Sequence, residues 1–185
     1  MKAIAVFRQV SRGAWGMVAL TVGLALGASW TIGSGMAGAQ SASEQAQLAR
    51  EVSGVRVSLA QGLAASRSQG TPISAKFELE DGKLQLSVYT DKGGGFSEVI
   101  VDHKSGRISK TEAITGGDDL SHAKAQSEAM AKATRSLEAA AADATKENSG
   151  YRVVSVMPAL KDGHPVADVM LVKGSDWKTV SGKLD

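Results

Sequence analysis

From Leu48 onward, Leu48, Val52, Val55, Leu59 and Leu63 recur at spacings of four, three, four and four, which places five apolar side chains on one face of a helix. Gly54 and Gly62 weaken that helix locally. The Ser68-Gln69-Gly70-Thr71-Pro72 cluster ends it, because proline offers no amide hydrogen and drives the residue before it toward extended backbone. The period then changes to two. Ile73, Ala75, Phe77 and Leu79 alternate with Ser74, Lys76, Glu78 and Glu80, as expected of a strand with one packed face and one wet face. Asp81-Gly82 reads as a two-residue hairpin turn, since both residues tolerate positive φ. Leu84, Leu86 and Val88 carry the inner face of the next strand, the Asp91–Gly95 turn leads into a third strand at Phe96–Val101, and Lys104-Ser105-Gly106 turns the chain again before Arg107 and Ile108.

The same order returns further along. A segment rich in Ala, Lys and Glu from about Ser121 to Thr145 predicts a helix, with Asp119 or Ser121 as its cap and Met130 and Leu137 on its core side. Asn148-Ser149-Gly150 stops it, Val154, Val156 and Leu160 alternate, and Asp162-Gly163 supplies a second hairpin turn. A shift of 81 positions brings Asp81-Gly82 onto Asp162-Gly163, Ile73 onto Val154, Val88 onto Val169 and Phe96 onto Trp177. Gly182-Lys183-Leu184 matches Gly106-Arg107-Ile108 once five residues are dropped. The expected fold is α+β: two tandem units, 40–115 and a divergent 116–185, each one helix packed on a three-stranded antiparallel β-meander. Pro158 and Pro165 predict edge strands or strand ends in the second unit.

The N-terminus breaks this picture. Lys2, Arg8 and Arg12 precede an uncharged stretch that closes in Ala37-Gly38-Ala39, the layout of a secretory signal peptide over 1–39 with cleavage after Ala39. Its apolar part, Trp15–Ile32, is long enough that an uncleaved anchor is the competing reading. Residues 1–39 hold three of the 21 basic residues and none of the 19 acidic ones, so the remainder carries 18 basic against 19 acidic side chains. A chain so balanced lacks the basic field that grips a phosphate backbone, which argues against a nucleic-acid partner. With no cysteine, a disulfide framework, a thiolate metal site and a cysteine nucleophile are all excluded. The expected location is periplasmic or secreted, with no membrane span once the signal is removed.

The run from Phe96 to Ile108, following a strand and an Asp81-Gly82 hairpin, resembles the end of a PepSY domain, in which a third strand closes in a Val-Asp-x-x-x-Gly-x-hydrophobic turn. Val101, Asp102, Gly106 and Ile108 match that ending; residues 44–110 carry the resemblance well and 119–185 less well, the second copy lacking the Asp. The resemblance implies a regulatory protein of the bacterial envelope, with a peptidase-inhibiting role proposed for the family. That is an analogy of fold rather than a reading of a site.

Catalytic chemistry is hard to assemble from the remaining residues. His103, His122 and His164 are the only side chains that titrate near neutrality unaided, and no two have the i, i+4 spacing of a zinc peptidase. The simplest reading makes them surface residues. Asp102 beside His103 is read as ordering its turn by accepting backbone amide hydrogens rather than holding a metal. No Gly-x-Ser-x-Gly elbow follows residue 39. Gly93-Gly94-Gly95 reads as a hairpin tip, because a strand rather than a helix follows it. Glu78 and Glu80 read as the wet face of a strand. No catalytic residue, resident metal or cofactor is expected. Among the aromatics, Tyr89 is assigned to the outer face of its strand and is the candidate anchor for a protein partner such as a peptidase or envelope enzyme; Trp177 is assigned to the core, and Tyr151 stands before the second sheet. The competing functional reading is a small-ligand or metal-ion binder in a groove between the halves, with His103, His122 or His164 as ligands.

Overall fold

The computed structural model describes residues 35–185. Up to residue 34 the expected signal segment lies outside the described residues, and the expected cleavage point after Ala39 falls within the first helix. The elements run α1 (Gly35–Ser53), α2 (Leu59–Ser66), β1 (Thr71–Glu80), β2 (Lys83–Lys92), β3 (Gly95–Val101), β4 (Ile108–Ile114), α3 (Gly117–Ala131), α4 (Leu137–Glu147), β5 (Arg152–Lys161), β6 (His164–Lys173) and β7 (Asp176–Lys183). All seven strands belong to one antiparallel sheet in the order β4-β3-β2-β1-β5-β6-β7.

This corrects the expectation of two tandem three-stranded units. The halves share a continuous sheet joined through β1 and β5, the first half has four strands, and each half has two helices instead of one. The joining ladder is short, pairing Ala75 with Val156 and Lys76 with Ser155. Irregular register bounds it on both strands, between Pro72 and Ser74 on β1 and between Val153 and Ser155 on β5. Pro158 lies just beyond the paired residues of β5, where its missing amide hydrogen costs no rung to β1.

The break in each helix has a local cause. After α1 the chain turns out of the helix, and the amides of Arg56 and Val57 both donate to the carbonyl of His103. Ser58 then starts α2 with a capping box: its hydroxyl accepts from the Gln61 amide, and the Gln61 side chain accepts from the Ser58 amide. In the second half Thr134 and Arg135 donate to the carbonyl of Leu184, and Ser136 caps α4. Thus Leu184, which the sequence pattern matches to Ile108, instead takes the place that His103 holds 81 residues earlier. Strands repeat at an offset of 81 residues and the helix caps at 78. The 11 residues of α4 against 8 in α2 make up the difference.

Both hairpin turns carry positive φ at both central residues, 49° and 72° at Asp81-Gly82 and 53° and 80° at Asp162-Gly163. That geometry suits the twist of the flanking strands, as the sequence indicates. One sheet face carries Ala75, Phe77, Leu86, Val88, Val99, Val101, Val156 and Val169, and packs with Leu59 and Leu63 of α2 and Leu137, Ala140 and Ala144 of α4 into the main core. The opposite face is crossed by α3, where Gln126 accepts from the Ser74 hydroxyl (2.7 Å) and Ser127 donates to Asp91 (2.5 Å). In consequence Leu86 through Thr90 of β2 are buried on both faces.

Candidate functional site

A cleft of about 620 Å³ opens where the halves meet, between α2 and α4 above the β1–β5 junction. Val52, Val55, Leu59, Phe77 and Val153 give it an apolar floor. The volume lies within the range usual for small-molecule sites, about 300–1,000 Å³. Its charged lining consists of Arg56, Lys146 and Arg152, and no carboxylate lines it among the described residues. All three cations are exposed. Arg152 is fixed by donating to the Val55 carbonyl (3.2 Å), so its guanidinium bridges the start of β5 and the loop after α1.

Tyr151 stands at the same end. Gly150 takes φ +83° to turn the chain out of α4, and the Tyr151 amide donates to the Asn148 carbonyl (3.1 Å). The phenol donates to the Asp176 carboxylate, a bond that pushes the Tyr151 hydroxyl above its ordinary pKa. The Nζ atoms of Lys178 and Lys173 lie 4.5 Å and 5.8 Å from the ring centre, within reach of the negative face of the π system. In the sequence Tyr151 is an aromatic ahead of the second sheet segment, and no local pattern brings Arg56, Lys146 and Arg152 beside it, since those residues are scattered over almost a hundred positions.

The residues singled out in advance fall elsewhere. Tyr89, expected on the outer face of its strand as a partner anchor, is only 2% exposed, and this assignment is corrected. Its neighbour across the ladder is Ser74, on the face that α3 covers, so that face is not the wet one a simple alternation implies. None of His103, His122 and His164 lines the cleft. His103 sits half-buried in the turn after β3, His122 half-buried on α3, and His164 exposed at the start of β6 with Nδ1 2.7 Å from Asp185. No group of three or more His, Cys, Asp or Glu side chains able to hold a metal ion occurs among the described residues. Asp102 accepts from the Ser105 hydroxyl (2.7 Å) and from the Ser105 and Lys104 amides (2.7 and 3.2 Å). Led by the Ser105 hydroxyl, these bonds hold its carboxyl below the usual range. Gly93 and Gly94 form the β2–β3 turn with positive φ, and the Gly94 amide donates to Asp91 (2.8 Å).

A second polar group lies on the α3 face. Burial pushes the Glu98 carboxyl up, aided by the nearby charges of Glu78 and Asp119 and opposed by a Ser87 hydrogen bond and by Lys76. A carboxyl that holds its proton more tightly in the folded chain contributes stability below its unfolded pKa and loses it as pH rises through the folded value. Glu98→Gln is therefore expected to melt higher than the parent at pH 7, with the advantage gone below about pH 4. Melting curves across that interval check it. An advantage that persists at acid pH would assign the gain to packing instead of charge.

No family model matches the chain, and no curated protein matches it. Among solved structures it is similar to a protein of Clostridium difficile 630 provisionally described as a lipoprotein, at 11% identity and a TM-score of 0.39, covering 65% of this chain and 79% of that one. A likeness this distant says nothing of function.

Proposed function

We propose that this chain is a non-enzymatic binding protein, exported by its N-terminal segment, that holds a small apolar-bodied ligand in the cleft between its halves. The observation that carries the reading is the cleft itself: about 620 Å³, an apolar floor, and walls drawn from both halves. The export reading rests on the basic start, the apolar stretch and Ala37-Gly38-Ala39. No helix among the described residues is long and apolar enough to cross a membrane. Regulation of a peptidase or envelope enzyme keeps its motivation in the PepSY resemblance, but its proposed anchor, Tyr89, is buried.

An uncharged solvatochromic dye, Nile red, tests the cleft without presuming a head group. Saturable binding is expected, with a rise in emission as the dye leaves water. Ala142, exposed on α4 and part of the lining, is the place to plug the cleft. Ala142→Trp is expected to weaken dye binding at least tenfold while leaving the melting temperature near that of the parent. Dye binding that ignores the plug would place the apolar site elsewhere and end the proposal.

A further inference from the structure

We infer that the ligand of the cleft is an amphiphilic anion, an acyl chain ending in a carboxylate, with its tail on the Val52–Phe77–Val153 floor and its head group among Arg56, Lys146 and Arg152. This rests on the reading of the cleft as a ligand site and adds the chemistry of what enters it.

The charge distribution carries the argument. The protein beyond residue 39 is nearly neutral, with 18 basic and 19 acidic residues, yet the charged residues lining this cleft are all basic. Asp176, which meets the lining residue Tyr151, is already engaged by the Tyr151 hydroxyl. Lys173 and Lys178 lie over the same ring, two positive charges against the single negative charge of Asp176 there. A neutral apolar ligand would gain nothing from three guanidinium and ammonium groups, and a cationic one would be repelled. A fully polar anion such as phosphate would leave unused the apolar lining that Val55, Leu59, Phe77 and Val153 supply. Only a ligand with an apolar body and an anionic end satisfies both surfaces at once.

The geometry suits that division. Arg152 is the most constrained of the three cations, through its bond to the Val55 carbonyl, and a guanidinium held in place loses less freedom when it meets a carboxylate. Arg56 and Lys146 come to the lining from separate elements, one from the loop after α1 and the other from the last turn of α4. Lys146 also lies in the last turn of α4, where the helix dipole favours positive charge.

The test compares dodecanoate with dodecyltrimethylammonium on the whole chain, both below the concentration at which micelles form, followed by NMR shifts of Val55, Phe77 and Val153. Dodecanoate is expected to move these signals saturably and to bind at least tenfold more tightly than the ammonium. Decanoate is expected to bind roughly tenfold more weakly than dodecanoate, since each methylene withdrawn from water is worth about 0.8 kcal/mol. The double change Arg56→Glu with Lys146→Glu, which leaves the Arg152 bond intact, should weaken dodecanoate about tenfold and leave the ammonium unweakened. Equal binding of the two head groups, or indifference to the charge reversal, would overturn the anionic assignment while Nile red still reports a working cleft. Failure of both amphiphiles where Nile red binds would overturn the acyl chain as well. Failure of all three probes at the cleft would be the failure of the ligand-site reading itself.

Discussion

Gly62→Val is expected to destabilise the protein by roughly 3 kcal/mol, lowering the melting temperature by about 6–12 °C. Gly62 is buried on α2, and a Cβ placed on it would lie 2.5 Å from Cδ2 and 3.1 Å from Cγ of Leu86. A flexible surface side chain could swing away from such a contact. Leu86 cannot do so freely, because it is fully buried on β2 between Phe77 and Val101, its partners on the two flanking strands. Either Leu86 leaves its rotamer or α2 lifts off the sheet, and α2 forms one wall of the cleft. Gly62→Ala meets the same Cβ contact with no branches, and the better helix propensity of alanine returns about 1 kcal/mol, so its loss should be much smaller. Thermal melts followed by circular dichroism give both numbers. A valine variant melting within 2 °C of the parent would mean that the helix has room to move and that the close approach of α2 is incidental.

Gly62 illustrates what could be read in advance. Its place in the apolar stripe from Leu48 to Leu63 was legible, but it counted only as a weak point in a helix, since the strand that needs its missing side chain lies more than twenty residues away. The stripe itself misled, because its spacing runs from Val55 to Leu59 across a break in the helix, where Arg56 and Val57 are bound to His103. The signal for the break was present in Ser58-Leu59-Ala60-Gln61, a capping pattern that outweighs periodicity when a bond to a distant strand holds the preceding residues. The alternating strands and Asp-Gly turns were legible because each is decided within a few residues. The fourth strand was not. Ser109 through Ala113 are exposed, so no buried face imposes a period on them. Tyr89 failed for the opposite reason: alternation shows which residues share a face, and says nothing of whether a helix from elsewhere will cover the other one. The cleft depends on the pairing of β1 with β5, a contact of only two residue pairs that no local pattern announces.

The repeat does yield a consequence that neither half shows alone. Leu184 is expected to be a structural keystone despite lying next to the last residue of the sequence: Leu184→Ala should cost about 3 kcal/mol. Its side chain is fully buried in the main core, its amide donates to the Pro165 carbonyl (2.9 Å), and its carbonyl accepts from Thr134 and Arg135 at 2.7 and 3.0 Å. Those two bonds set the linker that aims α4, as the carbonyl of His103 does for α2 through Arg56 and Val57. His103 is only half-buried, so the first half depends on the backbone at this position, whereas the second adds a buried side chain. Lys183→Ala, one residue earlier and exposed, should change stability by no more than about 0.5 kcal/mol. Because α4 carries Ala141, Thr145 and Lys146 into the cleft, the Leu184 variant should also bind Nile red more weakly at a temperature where it remains folded. A loss below about 1 kcal/mol on chemical denaturation would show that the main core closes without Leu184. Undiminished dye binding by a clearly destabilised variant would show instead that α4 is held by its contact with α2, through Arg67 and Glu138, and not by the end of β7.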